Sequence, residues 1–138
     1  MVELEPRRPG CSVVQGKDIT PEKVRALASA ADACWESILA RDLEGFASAY
    51  RASFEAQVAM FPGMVEPVSV KPRESAPASE TVPTQAKGAI RRAIAHYSAL
   101  PGVLAWKMPG AGGGGYLALV CRDRASFPDG AIALTIRR

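Results

Sequence analysis

Histidine and cysteine are scarce in this chain of 138 residues, and their scarcity excludes several kinds of site. There is one histidine, His96, so neither a histidine-based metal site nor a histidine dyad is expected. Cys11, Cys34 and Cys121 are odd in number and have no CxxC spacing, which argues against a disulfide framework and against a zinc site. We therefore expect reduced, mostly buried thiols, no metal ligands and no catalytic residue of these types.

Long apolar runs are also missing, which argues against a membrane-spanning helix and against a secretory leader. No apolar stretch approaches the roughly 20 residues of a membrane helix, and the first nine residues are charged, unlike a secretory leader. We therefore expect a cytoplasmic protein with no membrane partner. Hydrophobic residues make up 48% and charged residues 22%, as in an ordinary globular protein. The length suits one domain spanning residues 1–138.

Negative charge is nearly absent from the carboxyl-terminal part. Residues 1–83 hold 9 basic and 12 acidic side chains, a balance of −3, whereas residues 84–138 hold 8 basic and 2 acidic side chains, a balance of +6. The total of +3 is too small to indicate a nucleic acid partner. The carboxyl-terminal part is the better host for a small anion.

Two amphipathic helices are predicted in the first half. Thr20 can cap a helix that begins at Pro21 and runs to about Arg41, and Asp42 can cap a second one that ends before Pro62. Apolar residues recur at helical spacing in both, and we expect them to face inward: Val24, Leu27, Ala28, Ala31, Trp35, Ile38 and Leu39 in the first helix, and Leu43, Phe46, Tyr50, Phe54 and Val58 in the second.

The remaining segments favour an α+β fold. An edge strand and a turn are expected within residues 2–14, and the proline- and serine-rich segment 66–84 is predicted to be a mobile loop. A third helix is predicted over Thr84–Ser98, and strands over 104–108, Tyr116–Cys121 and Ile132–Ile136. Tyr116–Cys121 is apolar throughout, as in a central strand. We expect helices on one side of a small, mainly antiparallel sheet.

The most informative segment is the glycine-rich stretch between two of these strands. Five of the 12 glycines occur within residues 110–115, more than a hairpin turn needs. Successive N–H groups without side chains can form a concave site for an anion such as phosphate. The alternative is that the glycines let the loop pack against a neighbouring backbone, or that the loop is flexible.

The stretch Trp106-Lys-Met-Pro-Gly-Ala-Gly-Gly-Gly-Gly-Tyr-Leu-Ala-Leu-Val120 resembles the third motif of the GHMP kinases. Residues 53–62 before it and 130–138 after it are similar to the sugar kinase branch, which includes heptose-phosphate, fucose and galactose kinases. The resemblance implies a carboxyl-terminal kinase domain, a two-layer sandwich of ferredoxin-like type. It assigns the phosphate- and substrate-binding loop to Gly110, Ala111, Gly112, Gly113, Gly114 and Gly115. Pro109 departs from the family, where a small polar residue is common.

The resemblance also implies that the chain supplies half of an active site. The amino-terminal phosphate loop and the catalytic residues of the family have no counterpart here, so we expect an inactive half of an ATP-dependent sugar or sugar-phosphate kinase. ATP and Mg²⁺ belong to the complete enzyme, and no tight cofactor is expected on this chain. Its partner is then an amino-terminal kinase domain or a second chain, including a homodimer. Lys107, Glu55 and Gln57 are possible auxiliary residues. The alternative function is a non-catalytic interaction module.

Overall fold

The chain combines three α-helices with two small antiparallel sheets over residues 1–7, 10–66, 68–69 and 88–134, which the computed structural model describes. The helices are α1 (Pro21–Ala40), α2 (Leu43–Met60) and α3 (Ala89–Ser98). The strands are β1 (Val2–Glu3), β2 (Cys11–Ser12), β3 (Val68–Ser69), β4 (Val103–Lys107) and β5 (Tyr116–Cys121). Short 3₁₀ turns cover Pro62–Met64 and Arg124–Ser126. The α+β class is confirmed.

The ends of α1 and α2 follow the local sequence. The hydroxyl of Thr20 accepts a hydrogen bond from the amide of Lys23, and the carboxylate of Asp42 accepts one from the amide of Gly45. Each cap satisfies a backbone donor that the first helical turn leaves open. Between the two helices Arg41 adopts a left-handed conformation with φ of 56°, which reverses the chain and lays α2 against α1.

The larger sheet has the order β1–β5–β4, and both pairs are antiparallel. β5 is therefore the central strand, as its continuous apolar sequence predicts. Val2 lies opposite Leu117 and Trp106 lies opposite Leu119. β2 and β3 form a separate pair. The edge strand predicted near the amino terminus is confirmed.

A single core joins the sheet to α2 and α3. Its buried members come from β1, α2 and the turn after it, α3, β5 and the loop between β4 and β5: Val2, Phe54, Met64, Val65, Ile90, Met108 and Leu117. Met108 and Leu117 are fully buried. Trp106 packs against this core. α2 and α3 both contact β4, whereas α1 packs mainly against α2.

The face of α1 that packs is not the predicted one. The less exposed positions are Lys23, Leu27, Ala30, Cys34 and Ser37, spaced four and three residues apart. Of the large apolar side chains of α1 expected to face inward, Leu27 lies on the packed face, whereas Val24, Trp35, Ile38 and Leu39 are exposed, and Trp35 is 58% accessible. The small side chains on the packed face explain this choice, because they allow α1 to approach α2 closely.

The strand predicted over Ile132–Ile136 is also wrong in the part of it that the structure describes. Residues 131–134 form no strand, and Ile132 and Leu134 are exposed. Ile132 instead exchanges two backbone hydrogen bonds with Met1, of 2.6 and 2.7 Å. The neighbouring edge strand, β1, has two residues, so it offers too few groups to continue a ladder.

Other predictions fall partly outside the described residues. α3 is observed from Ala89, after Gly88 in a left-handed conformation, and the predicted start at Thr84 lies outside. So does most of the loop predicted for residues 66–84, although Val68 and Ser69 form β3. In the described ranges, no helix is long and apolar enough to cross a bilayer.

Candidate functional site

The glycine-rich loop, residues 108–115, connects β4 to β5. All five of its glycines have positive φ, a conformation that side-chain-bearing residues rarely adopt. Pro109, Gly110 and Ala111 are exposed, whereas Met108 and Gly113 are buried. The loop therefore has an exposed outer half, residues 109–111, and an inner half, residues 112–115.

Backbone hydrogen bonds fix the inner half to the rest of the fold. The amide of Gly113 donates to the carbonyl of Met64 at 2.7 Å. The amide of Gly115 donates to the carbonyl of Glu5 at 2.9 Å, and its carbonyl accepts from the amide of Leu4 at 2.7 Å. These amides are occupied by the fold itself, so they are not donors for a ligand.

Close packing also accounts for the absence of side chains in the inner half. A Cβ atom on Gly114 would lie 2.5 Å from the carbonyl oxygen of Glu5 and 2.7 Å from the amide nitrogen of Arg7. One on Gly113 would lie 2.8 Å from a methyl group of Val13. Gly113 and Gly114 therefore let the loop pack against a neighbouring backbone, which was the alternative to anion binding. Only the outer half is left as a candidate anion site.

The outer half lacks the contacts that fill the inner half. A Cβ atom on Gly110 would meet no atom within 4 Å. The amides of Gly110 and Ala111 donate to no other group of the described residues. Adjacent exposed N–H groups at a turn, next to a glycine of positive φ, suit a phosphate or carboxylate oxygen. The inner half holds this turn in place.

Lys107, a possible auxiliary residue, turns toward α2 instead of the loop. Its Nζ donates to the hydroxyl of Ser53 at 2.8 Å and lies 5.6 Å from the centre of the Tyr50 ring. Burial lowers the pKa of Lys107, and the nearby Cys34 thiolate opposes this shift. Burial raises the pKa of Cys34 in turn. Lys107 therefore lies at the junction of α1, α2 and β4.

Glu55 and Gln57, the other two auxiliary candidates, point to different environments. Glu55 is exposed, and its carboxylate lies 3.9 Å from the Arg51 guanidinium. Gln57 has a buried side-chain oxygen with no hydrogen-bond partner among the described residues. A buried acceptor without a hydrogen-bond donor costs free energy of folding unless another molecule donates to it.

A groove of about 440 Å³ between α2 and α3 was not predicted from the sequence. Its floor is apolar, with Phe54 and Ile94, and Glu55 and Arg91 lie at its rim. Arg91 is bonded at 2.5 Å to Glu66. Apolar residues at helical spacing indicate packing as readily as a groove, so the sequence carried no separate signal for it. The groove brings Glu55, but not Lys107, to a concave surface.

Neither a search for metal-binding side chains nor a comparison with known proteins assigns a function to the site. In residues 1–7, 10–66, 68–69 and 88–134 no group of three or more His, Cys, Asp or Glu side chains could hold a metal ion. Comparison of the chain with protein-family models, with curated proteins and with solved structures found no match.

Proposed function

We propose that the chain is the carboxyl-terminal half of an ATP-dependent sugar or sugar-phosphate kinase, with a ferredoxin-like fold, and that it contributes the glycine-rich loop to a cleft completed by another domain. The observation that carries the proposal is the exposed turn at Gly110 and Ala111, whose amides have no partner in the described structure. The motif around it, from Trp106 to Val120, is the basis of the kinase assignment.

The outer half of the loop fits a phosphate group in two ways. It carries no side chain at Gly110 and a methyl group at Ala111, so a phosphate can approach the backbone closely. It also adds no negative charge, and the region from residue 84 onward is basic. In the complete enzyme ATP would supply the transferred phosphoryl group, and Mg²⁺ would neutralise charge on the phosphates. The residues of this chain would bind and orient a phosphate with N–H donors, which is much of what phosphoryl transfer requires of a protein.

A pair of variants at one position tests this proposal. Gly110→Asn and Gly110→Asp have nearly equal size, both tolerate positive φ better than other residues, and a Cβ there meets open space. We expect the Asn variant to retain phosphate binding and the Asp variant to weaken it about tenfold, because a negative charge near the ligand costs about 1.4 kcal/mol or more. Titration of the full chain with inorganic phosphate and with ATP, followed through the backbone amide NMR signals, gives both affinities.

The same two variants also test whether phosphate binding by this chain contributes to the activity of the complete enzyme. The matching amino-terminal kinase half, added in trans, should restore ATP-dependent phosphorylation of a sugar, and Gly110→Asp should reduce the restored rate. Equal phosphate affinities in the two variants would exclude the outer half as the site.

The second candidate function is a non-catalytic interaction module. The observation that favours it is the row of exposed apolar side chains on α1, with Trp35 and Leu39 accessible. A module would bind the amino-terminal half without turnover, whereas a split kinase would bind it and phosphorylate. The rate of ADP formation in the mixed sample distinguishes the two functions.

A further inference from the structure

The outward side of α1 carries a continuous apolar surface, which we call the α1 stripe. Its large side chains are Val24, Trp35, Ile38 and Leu39, which are 49, 58, 52 and 61% exposed. Ala28 and Ala31, also exposed, lie between them. Apart from Leu39, each stripe position follows a position of the packed face by one residue, so the stripe lies about 100° around the helix from the face on α2. Its large side chains remain about half-exposed in the described structure.

We propose that the α1 stripe binds the same stripe of a second copy of this chain, with the two helices antiparallel. This interface is separate from the glycine-rich loop and does not depend on the proposed kinase function. It replaces the expectation that Trp35 lies in the core of one chain.

The exposed area is close to what a stable pair needs. The half-exposed aromatic and aliphatic side chains of the stripe present on the order of 400 Å² of apolar surface. A standard interface covers about 800 Å² on each partner, of which roughly 55–65% is apolar. The α1 stripe therefore supplies most of the apolar area that one side of such an interface requires, and flanking polar residues supply the rest.

The spacing of the stripe is complementary to itself. Residues 24, 28, 31, 35 and 38 are separated by four and three residues in turn, the spacing of a two-helix seam. With a rise of about 1.5 Å per residue, a two-fold axis at Ala31 puts Val24 level with Ile38 of the second copy. Ala28 then lies within about one residue of Trp35 of the second copy, so that a small side chain meets a large one.

The charges near the stripe do not supply a pairing between the two copies. Arg25 forms an ion pair with Glu22 of its own helix at 2.9 Å. Glu36 lies about 100° around the helix from Trp35, outside the stripe. Asp32 lies next to the axis, close to Asp32 of the second copy, so these two carboxylates oppose association. The arrangement therefore predicts that loss of the Asp32 charge strengthens the pair.

Sedimentation velocity of the full chain, at concentrations up to about 1 mM where weak specific pairs still associate, tests the proposal. Leu39→Asp should raise the dissociation constant at least tenfold. Leu134→Asp is the matched control, because Leu134 is an equally exposed leucine (63%) outside the stripe, and it should change nothing. Circular dichroism of both variants verifies that α1 remains folded.

Removal of a charge tests the orientation of the helices. Asp32→Asn should strengthen the dimer severalfold, because an antiparallel pair places the two Asp32 carboxylates close together beside the axis, whereas a parallel pair keeps them apart and would leave the affinity unchanged. A chain that stays monomeric at the highest concentration, or a dimer that Leu39→Asp leaves unchanged, would overturn the proposal. A monomeric chain whose stripe binds an added amino-terminal kinase half would also overturn it, by showing a different occupant.

Discussion

The two halves of the glycine-rich loop should respond unequally to the same substitution, made at Gly110 in the outer half and at Gly114 in the inner half. Alanine at Gly110 meets open space, and its cost is the strain of a left-handed conformation, about 1–2 kcal/mol. Alanine at Gly114 carries that strain, with φ of 137°, and also overlaps the carbonyl of Glu5 at 2.5 Å. Overpacking of this kind adds about 1–3 kcal/mol. Gly114→Ala should therefore be less stable than Gly110→Ala by about 1–3 kcal/mol.

Urea unfolding of the two variants measures this difference. With a slope of about 2 kcal/mol per molar urea, the midpoint of Gly114→Ala should lie about 0.5–1.5 M below that of Gly110→Ala. Fluorescence of the partly buried Trp106 and circular dichroism should report the same transition. Equal midpoints would refute the reasoning, because they would show that the contacts of Gly114 with Glu5 and Arg7 do not constrain the loop.

Two further predictions concern the sites around β4 and β5. Since burial raises the pKa of Cys34 and the Lys107 ammonium opposes that shift, Lys107→Met should raise the pKa further and move the alkylation rate profile of Cys34 to higher pH. Cys121, whose raised pKa is not attributed to Lys107, is the internal control in peptide mass spectrometry, and equal movement of both profiles would contradict the assignment. Leu117→Ala should destabilise the fold by about 2–5 kcal/mol, because Leu117 is fully buried at the centre of the sheet. A loss below about 1 kcal/mol in urea would show that this position is not in the core.

Local signals in the sequence predicted the helices well and their packing less well. The caps at Thr20 and Asp42 act within three residues of the helix start, so the beginnings of α1 and α2 were correct. The orientation of α1 was wrong because the sequence contains two apolar faces at helical spacing. The wider face, with Trp35, is exposed, while the face with Ala30 and Cys34 lies against α2. The face of α1 that packs depends on the shape of the α2 surface, and the spacing of apolar residues within α1 carries no information about that surface.

In the candidate site, too, the features set by the local sequence were predictable, whereas those set by residues far away in the sequence were not. The glycine-rich sequence predicted a loop between two strands, which is confirmed. It did not reveal which glycines pack and which stay open, because the contacts come from Glu5, Val13 and Met64, far away in sequence. The assignment of the loop to phosphate binding stays a prediction.

The attachment of the loop to the first residues of the chain has a consequence for how it forms. Glu5 and Gly115 are more than a hundred positions apart in the sequence, and contacts of such separation carry a large closure entropy and form slowly. During synthesis, the segment around Glu5 must therefore wait for the segment around Gly115 before the two can form these hydrogen bonds. A synthetic hairpin of residues 103–121 would lack the carbonyls of Glu5 and Met64, so it would not reproduce the loop.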